Sequence, residues 1–269
     1  IDLSDLDWWT RPLDERAEAF SLLRRERPIA SMTFPGLPHM GVPESTYYAV
    51  TRHADIVHAS RHPELFCSGK GTNIGDLPPE FVEFFGSMIN LDDPRHARMR
   101  RIVSRGFTPR QLGLMRADVE GVAKEIVDEI AERGEADFVT EVAARLPLRI
   151  ILDMMGIPRS QEQFVFDRTN VILGFTDPEY VADIEDPIGV TTAILTAGAE
   201  LAQLVSELGE ARIKDPGNDL VSALVVGEVD GERLSPQELA SFFVLLVAAG
   251  NETTRNAIAH GMVALTEHP

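Results

Sequence analysis

Residues 242–254 carry an apolar run that ends in an acid and a hydroxyl, with the sequence FFVLLVAAGNETT. A carboxylate such as Glu252 is costly to bury behind so many apolar residues unless it is hydrogen-bonded or takes part in a reaction. Gly250, two residues earlier, weakens a helix at a place where a ligand can approach the backbone. We therefore predict that Glu252 and Thr253 are catalytic residues.

The sequence around this run predicts one long helix. Ser235 offers a hydroxyl N-cap, Pro236 suits the first helical position, and Glu238 stands three residues after the cap. A helix from there to about Glu267 has roughly thirty residues and a length of roughly 45 Å. The apolar run is shorter than the roughly 20 residues that a membrane span needs. These features predict the central rod of a mainly helical protein with no membrane span.

The composition is that of an acidic globular protein. The chain has 269 residues, 44% of them hydrophobic, and a formal net charge of −18. Such a charge disfavours general binding to nucleic acid or to anionic membranes. The single cysteine, Cys67, excludes a disulfide within the chain and favours a reducing compartment. Because residues 1–5 show no signal-peptide pattern, we predict a cytoplasmic protein.

Most of the chain is predicted to be helical, with a short strand near the N-terminus. Residues 119–130 place valines and isoleucines on one face at helical spacing and charged residues on the other. Residues 46–51 have the pattern of a strand. No repeat or clear boundary divides the sequence, so we predict one domain over residues 1–269. Further helices are predicted at residues 13–27, 54–60, 139–155, 161–173, 188–213 and 219–226.

A basic segment at residues 95–110 stands out in this acidic chain. It contains six arginines and a histidine with no acid between them. His96 and Arg100 are four residues apart, which on a helix places both on one face about 6 Å from each other. That spacing suits the binding of two carboxylates or a phosphate. The alternative is a solvated helix face whose N-terminus is favoured by Asp92 and Asp93.

Together these segments resemble those of a known family. His96-x-x-x-Arg100 with SRGFTP at residues 104–109, and AGNETT at residues 249–254, resemble the C-helix and I-helix signatures of bacterial cytochromes P450. The resemblance implies a mainly α cytochrome P450 fold with a small N-terminal β region. Residues 8–26 resemble the opening helix of that family. The segments most similar to its methyl-branched-lipid ω-hydroxylases and sterol side-chain hydroxylases are residues 85–96, 153–158 and 170–175.

The resemblance also implies that the C-terminal haem-thiolate part of the fold is absent from this chain. The sequence ends at Pro269, before the Glu-x-x-Arg helix and the cysteine that ligates haem iron in the family. Cys67 lies outside any haem-ligand pattern and is predicted to be a buried or unused thiol. We therefore assign no metal ligand within these residues. We expect the 269 residues alone to be an incomplete, inactive P450 domain.

The resemblance assigns roles to the residues singled out above. His96 and Arg100 would hold the propionates of haem b, the iron protoporphyrin IX cofactor. Ala249 and Gly250 would lie over the iron, where small side chains admit dioxygen and the helix opens in a local kink. The acid–hydroxyl pair that follows would relay protons for heterolytic cleavage of the O–O bond. The missing thiolate would supply the electron push for that step.

Apolar residues in segments that line the pocket in this family are the candidate substrate contacts. They imply a long apolar pocket for a branched lipid or sterol tail whose terminal carbon reaches the iron. Each of them is at least as consistent with core packing. The candidates are Ile74, Ile89, Ile172, Leu173, Phe175, Leu245 and Ala248.

The resemblance implies monooxygenase chemistry with dioxygen and with electrons from a ferredoxin and its ferredoxin reductase. Such a protein needs a surface for an acidic electron donor. The remaining arginines of the basic segment, Arg98, Arg101 and Arg105, are candidates for docking the ferredoxin.

Two other functions stay open at the level of the sequence. P450s that act on a macrolide or another secondary metabolite share every motif described above. A haem-free helical binding or regulatory protein is the alternative of a different class, because the segment with the ligating cysteine is missing. The Glu252–Thr253 pair argues against this second alternative, because a binding protein has no use for a proton relay in its central helix.

Overall fold

The structure is a computed structural model that describes residues 1–37, 42–76, 81–82, 85, 87–107, 109–174, 186–228 and 231–269. Within these residues the chain divides into two compact units, Ile1–Pro94 and Arg95–Pro269. The single domain that the sequence suggests stays a prediction. Of the candidate substrate contacts, Phe175 lies outside the described residues.

The first unit contains helices and a two-stranded antiparallel sheet. Its elements are α1 (Leu6–Trp9), α2 (Leu13–Glu26), β1 (Ile29–Phe34), β2 (Ser45–Val50), α3 (His53–Arg61) and a 3₁₀ turn (Met88–Asn90). Leu23 of α2 packs against Ala30 and Met32 of β1, and all three side chains are buried. Strand β2 confirms the strand predicted near residue 46. Strand β1 was not predicted, although exposed and buried residues alternate along it as in a half-buried strand.

The second unit is helical and is centred on its last helix. Its helices are α4 (Arg95–Ser104), α5 (Pro109–Ala131), α6 (Arg145–Met155), α7 (Glu162–Leu173), α8 (Pro187–Lys214), α9 (Leu220–Val226) and α10 (Pro236–Glu267). Helix α10 has 32 residues and packs against α6, α7 and α8. Its Phe243 and Val247 are completely buried. The predicted central rod is confirmed.

The N-terminus of α10 is fixed by the capping box that the sequence predicts. The Ser235 hydroxyl accepts the Glu238 N–H at 3.1 Å, and the Glu238 carboxylate accepts the Ser235 N–H at 2.8 Å. Asp219 caps α9 in a similar way, with its carboxylate accepting the Ser222 N–H at 2.8 Å. These bonds satisfy N–H groups that have no partner inside the helix, so both helices begin where the sequence indicates.

The predicted single helix over residues 139–155 is divided in the structure. Residues Val139–Ala143 form a π-helical turn, and the α-helix starts only at Arg145. Pro147 explains the division, because its ring clashes with the carbonyl four residues earlier and it donates no backbone hydrogen bond. In the first turn of α6 that missing donor costs little, since first-turn N–H groups have no intrahelical partner.

Helix α8 is apolar over much of its length. Among the described residues it is the one helix, over Ile188–Lys214, that is long and apolar enough to cross a membrane, with a mean hydropathy of 1.5. It packs against α7, α9 and α10. The core helix of a globular protein has the same length and composition.

Candidate active site

The acid–hydroxyl pair lies on α10, beyond the middle of the helix. The Thr253 hydroxyl donates to the Ala249 carbonyl at 2.7 Å, and both residues are exposed. Glu252 is half-buried and uses both carboxylate oxygens. One is paired with the Arg255 guanidinium, and the other accepts from the Asn256 amide at 3.0 Å. Both members of the pair are thus held by bonds within their own helix.

Gly250 allows α10 to approach α6 closely. A side-chain carbon at this position would lie 2.9 Å from the terminal methyl of Ile151. The helix continues through Gly250 without interruption, and the local kink there stays a prediction. The glycine therefore has a packing reason, because an added methyl group would force the end of the Ile151 side chain to move.

A polar cluster connects α10 to α7 beside the acid–hydroxyl pair. The Arg255 guanidinium donates to the side-chain oxygen of Asn170 at 3.4 Å. Asn170 and Asn251 are buried, with only 5% and 1% of their surface exposed. The side-chain oxygen of Asn251 and the Nε of Arg255 are buried without a hydrogen-bond partner among the described residues. Buried polar atoms of this kind are few in folded proteins.

Helix α4 carries the candidate anion-binding pair. His96 and Arg100 lie one turn apart; His96 is half-buried, and Arg100 is exposed. Within the described part of the chain, Arg100 has no carboxylate partner. The prediction that this helix presents cationic groups for an external anion is therefore compatible with the structure at Arg100.

Arg98, on the same helix, is bound to the start of α10. Its guanidinium donates to the Glu238 carboxylate at 2.7 Å and to the Arg233 carbonyl at 2.6 Å, and it also pairs with Glu232. Its predicted role in docking a ferredoxin is corrected, because its acidic partners belong to this chain. Arg101 and Arg105 remain exposed, although they also donate to backbone carbonyls, Arg101 to that of Ala97 and Arg105 to that of Glu228.

The contact between Arg98 and Glu238 shifts the pKa of both groups. Burial alone would raise the pKa of Glu238, but hydrogen bonds from the Ser235 N–H and from Arg98 outweigh it and hold this pKa below its ordinary value. The hydrogen bond to Glu238 is also the main cause that raises the pKa of Arg98. The pair is therefore charged at neutral pH and ties α4 to the N-terminus of α10.

Known proteins resemble this chain in sequence and in fold. A methyl-branched lipid omega-hydroxylase of Mycobacterium tuberculosis is 46% identical over 272 residues, which cover 100% of this chain and 62% of that protein. A steroid C26-monooxygenase of Rhodococcus jostii is 37% identical over 277 residues, covering 100% of this chain and 55% of that protein. A Mycobacterium marinum cytochrome P450 solved in complex with pseudoionone has a TM-score of 0.87 at 38% identity, covering 100% of this chain and 65% of that one. The chain belongs to the cytochrome P450 family. No family model matches it.

This membership confirms the resemblance and the predicted fold class, a mostly helical P450 fold with a small β region. The chain spans 62% of the length of the methyl-branched lipid omega-hydroxylases it matches. A P450 implies a haem cofactor. The described residues fit the acidic edge of a haem, because the exposed cationic Arg100 lies on the same helix as His96 and lacks a carboxylate of its own here.

The face of α10 that carries Thr253 also fits a P450 haem. Ala249 presents a small exposed side chain one turn before Thr253. Cys67 is an exposed thiol in the first unit, so of the two expected alternatives, buried or unused, the buried one is wrong. It contributes to neither group of candidate residues.

The candidate substrate contacts of this P450 fall into two groups. Leu245 and Ala248 are half-buried on α10, and Ile172 and Leu173 end α7, which packs against α10. Ile172 is half-buried and Leu173 is exposed. The first unit carries Ile74 and Ile89, about half exposed at 52% and 47%. The structure thus brings the α7 and α10 candidates into neighbouring helices, and their contact with substrate stays a prediction.

Sequence reasoning missed the long-range contacts that hold the site in place. Arg98 and Glu238 are 140 positions apart, and Arg255 and Asn170 are 85 apart, so no local pattern joins them. Arg255 did carry one signal. It lies three residues after Glu252 on a predicted helix, the spacing of a side-chain ion pair.

Proposed function

We propose that this P450 is a haem-thiolate monooxygenase that hydroxylates the terminal carbon of a methyl-branched lipid or sterol side chain. The observation that carries the proposal is the Glu252–Thr253 pair on the central helix. The whole of this chain also aligns with 62% of a methyl-branched lipid omega-hydroxylase. The steroid C26-monooxygenase similarity supports the same substrate class. Dioxygen, a ferredoxin and a ferredoxin reductase are the partners, and the cytoplasm is the compartment.

Haem b is the cofactor of this proposal, and it supplies the activation of dioxygen when bound. His96 and Arg100 hold its propionates. A guanidinium binds a carboxylate with two parallel hydrogen bonds, and the neighbouring imidazole donates a further one. Because Arg98 anchors their helix to α10 through Glu238, the propionate ligands keep a fixed distance from the acid–hydroxyl pair. This rigid support is what a preorganised site requires.

Glu252 and Thr253 move protons toward the reacting oxygen. Glu252 is half-buried, so water reaches its side chain at one edge of the site. The Thr253 hydroxyl can accept a proton on one side and donate one on the other. In the present arrangement the hydroxyl donates to the Ala249 carbonyl, so its O–H must turn about the Cβ–Oγ1 bond before it can donate elsewhere. Positioned proton transfer of this kind typically contributes 10²–10⁴-fold to a rate.

The ferredoxin meets α4 from its exposed side. Arg101 and Arg105 are exposed there, whereas Arg98 is half-buried and paired with carboxylates of this chain. Exposed cations steer an acidic partner and raise the association rate more than they raise affinity. Neutralising them therefore slows reduction at low salt and leaves substrate binding unchanged.

The substrate assignment is tested by spectral titration of the haem-loaded protein. A methyl-branched fatty acid and a sterol with an intact side chain are compared with a macrolide, and products are identified by mass spectrometry. We expect saturable binding spectra for a lipid or sterol and oxidation at its terminal carbon. Binding and oxidation of the macrolide alone would instead make this a P450 of secondary metabolism.

A further inference from the structure

The polar cluster between α7 and α10 contains one cation with two sets of partners. Arg255 is mostly buried, with 12% of its side chain exposed. It pairs with Glu252 on its own helix and donates to Asn170 on α7. One guanidinium therefore connects the candidate proton relay to the helix that ends in Ile172 and Leu173.

The same cluster leaves one donor and one acceptor without partners. The Nε of Arg255 and the side-chain oxygen of Asn251 are both buried and unpaired among the residues the structure describes. These residues are four apart on α10, so their side chains lie on the same face of the helix. A buried unpaired donor and acceptor each cost stability. They are complementary, so a movement of the guanidinium that brings them together would satisfy both.

Glu252 is fully engaged while Arg255 keeps its present position. One carboxylate oxygen is paired with Arg255 and the other accepts from Asn256. A carboxylate held at both oxygens cannot turn toward a neighbouring hydroxyl. Releasing it requires Arg255 to find another acceptor, because an unpaired buried cation is costly.

We propose that Arg255 is a positioning residue that holds Glu252 in a resting orientation and releases it by moving its guanidinium to the side-chain oxygen of Asn251. Asn170 links this movement to α7, so the position of α7 when substrate is bound biases the orientation of Glu252. The proposal rests on the proposed role of Glu252 as a proton donor in a P450. It adds a substrate-dependent control of that donor.

Asn251→Leu tests the proposal most sharply. Leucine has the same branching and the same number of side-chain heavy atoms and removes the second acceptor, while the Glu252–Arg255 pair and the Asn170 bond remain. Since the substitution removes an unpaired buried oxygen, the protein is expected to keep or raise its thermal midpoint. Thr266→Val is the matched control, because Thr266 lies near the far end of α10 and bonds only the carbonyl one turn back.

The direct readout is the infrared C–O stretching band of the reduced, carbon monoxide-bound protein, which senses nearby polar groups. We expect two bands whose ratio changes when substrate binds, and a single band in Asn251→Leu that substrate does not alter. In turnover, the variant should divert several-fold more electrons to hydrogen peroxide and show a larger solvent isotope effect. Its substrate affinity should be unchanged.

A second variant, Arg255→Lys, keeps a cation beside Glu252 but is too short to bridge to Asn170. It should retain both bands and lose the effect of substrate on their ratio. Unchanged bands and unchanged peroxide yield in Asn251→Leu would overturn the proposal while leaving the monooxygenase intact. Absence of any haem–carbon monoxide complex in the wild type would instead overturn the proposed function, and this inference with it.

Discussion

The contact between Arg98 and Glu238 predicts that Glu238→Gln destabilises the protein although the residue is not in the site. The two side chains are 23% and 21% exposed, so the pair is partly buried. Exposed ion pairs contribute about 0–1 kcal/mol, and removal of one partner from a fully buried pair costs about 3–5 kcal/mol. Glutamine still accepts the Ser235 N–H through its amide oxygen, so the helix cap survives. We expect a loss of about 1–2 kcal/mol.

A double-mutant cycle isolates the pair from other effects of the substitution. Arg98→Gln, Glu238→Gln and the double variant are unfolded in urea at pH 7, and the midpoints are compared at unchanged slope. Arg98 also pairs with Glu232, so its own substitution costs more than the coupling. The coupling energy should be about 1 kcal/mol. Arg116→Gln is the control, because its pair with Glu120 is 86% and 71% exposed and should contribute almost nothing.

The pH dependence of this coupling gives an independent check. The folded pKa of Glu238 lies below its ordinary value, despite the burial that acts to raise it, because Ser235 and Arg98 stabilise the charged form. Such a group contributes stability above the pKa of the unfolded state, about 4.3, and loses it as pH falls through the folded pKa. The coupling should therefore be constant from about pH 8 to 5 and vanish in more acidic solution. A coupling below about 0.3 kcal/mol at pH 7 refutes this account. So does a coupling that persists at a pH where Glu238 is protonated in both the folded and the unfolded protein.

Three further substitutions test other parts of the structure. Arg149→Leu removes a buried guanidinium, 7% exposed, that joins α5, α6 and α7 through two glutamates. We expect the free energy of unfolding in urea to fall by about 2–4 kcal/mol. A fall of less than about 1 kcal/mol would show that water replaces these bonds. Gly250→Ala places a methyl group against Ile151 and should lower the free energy of unfolding, measured by thermal unfolding, by about 1–3 kcal/mol. Combining it with Ile151→Val should restore part of this stability. No restoration would contradict the predicted clash. Thr253→Val should leave the thermal midpoint nearly unchanged and divert electrons from product to peroxide, whereas unaltered product yield would remove Thr253 from the relay.

The helix boundaries were predictable where their cause lies in neighbouring residues. Ser235, Pro236 and Glu238 form a local capping motif, and the structure contains it. The division of residues 139–155 has an equally local cause in Pro147, so attention to proline geometry would have found it. Strand β1 is different, because its pairing with β2 depends on residues 11 to 21 positions away, from Phe34↔Ser45 to Ile29↔Val50.

The sequence predicted the candidate catalytic residues but not the long-range contacts that hold them in place. The acid–hydroxyl pair could be found because a carboxylate after an apolar run is costly to bury unless it is hydrogen-bonded or takes part in a reaction. Arg98 was assigned to a partner protein because the sequence shows a cationic helix and not the distant acid that it binds. The hydrogen bond between Arg255 and Asn170 was not predicted for the same reason, because only the packing of α7 on α10 brings these residues together. The haem and substrate contacts stay predictions.

The central claim is that this chain is part of a haem-thiolate monooxygenase. An absorbance spectrum of the purified protein, reduced under carbon monoxide and recorded beside an intact mass, tests it most directly. A strongly red-shifted Soret band with a mass above that of these 269 residues is the predicted result. A protein of the mass of these residues with no haem band would contradict the claim and favour a haem-free helical binding protein.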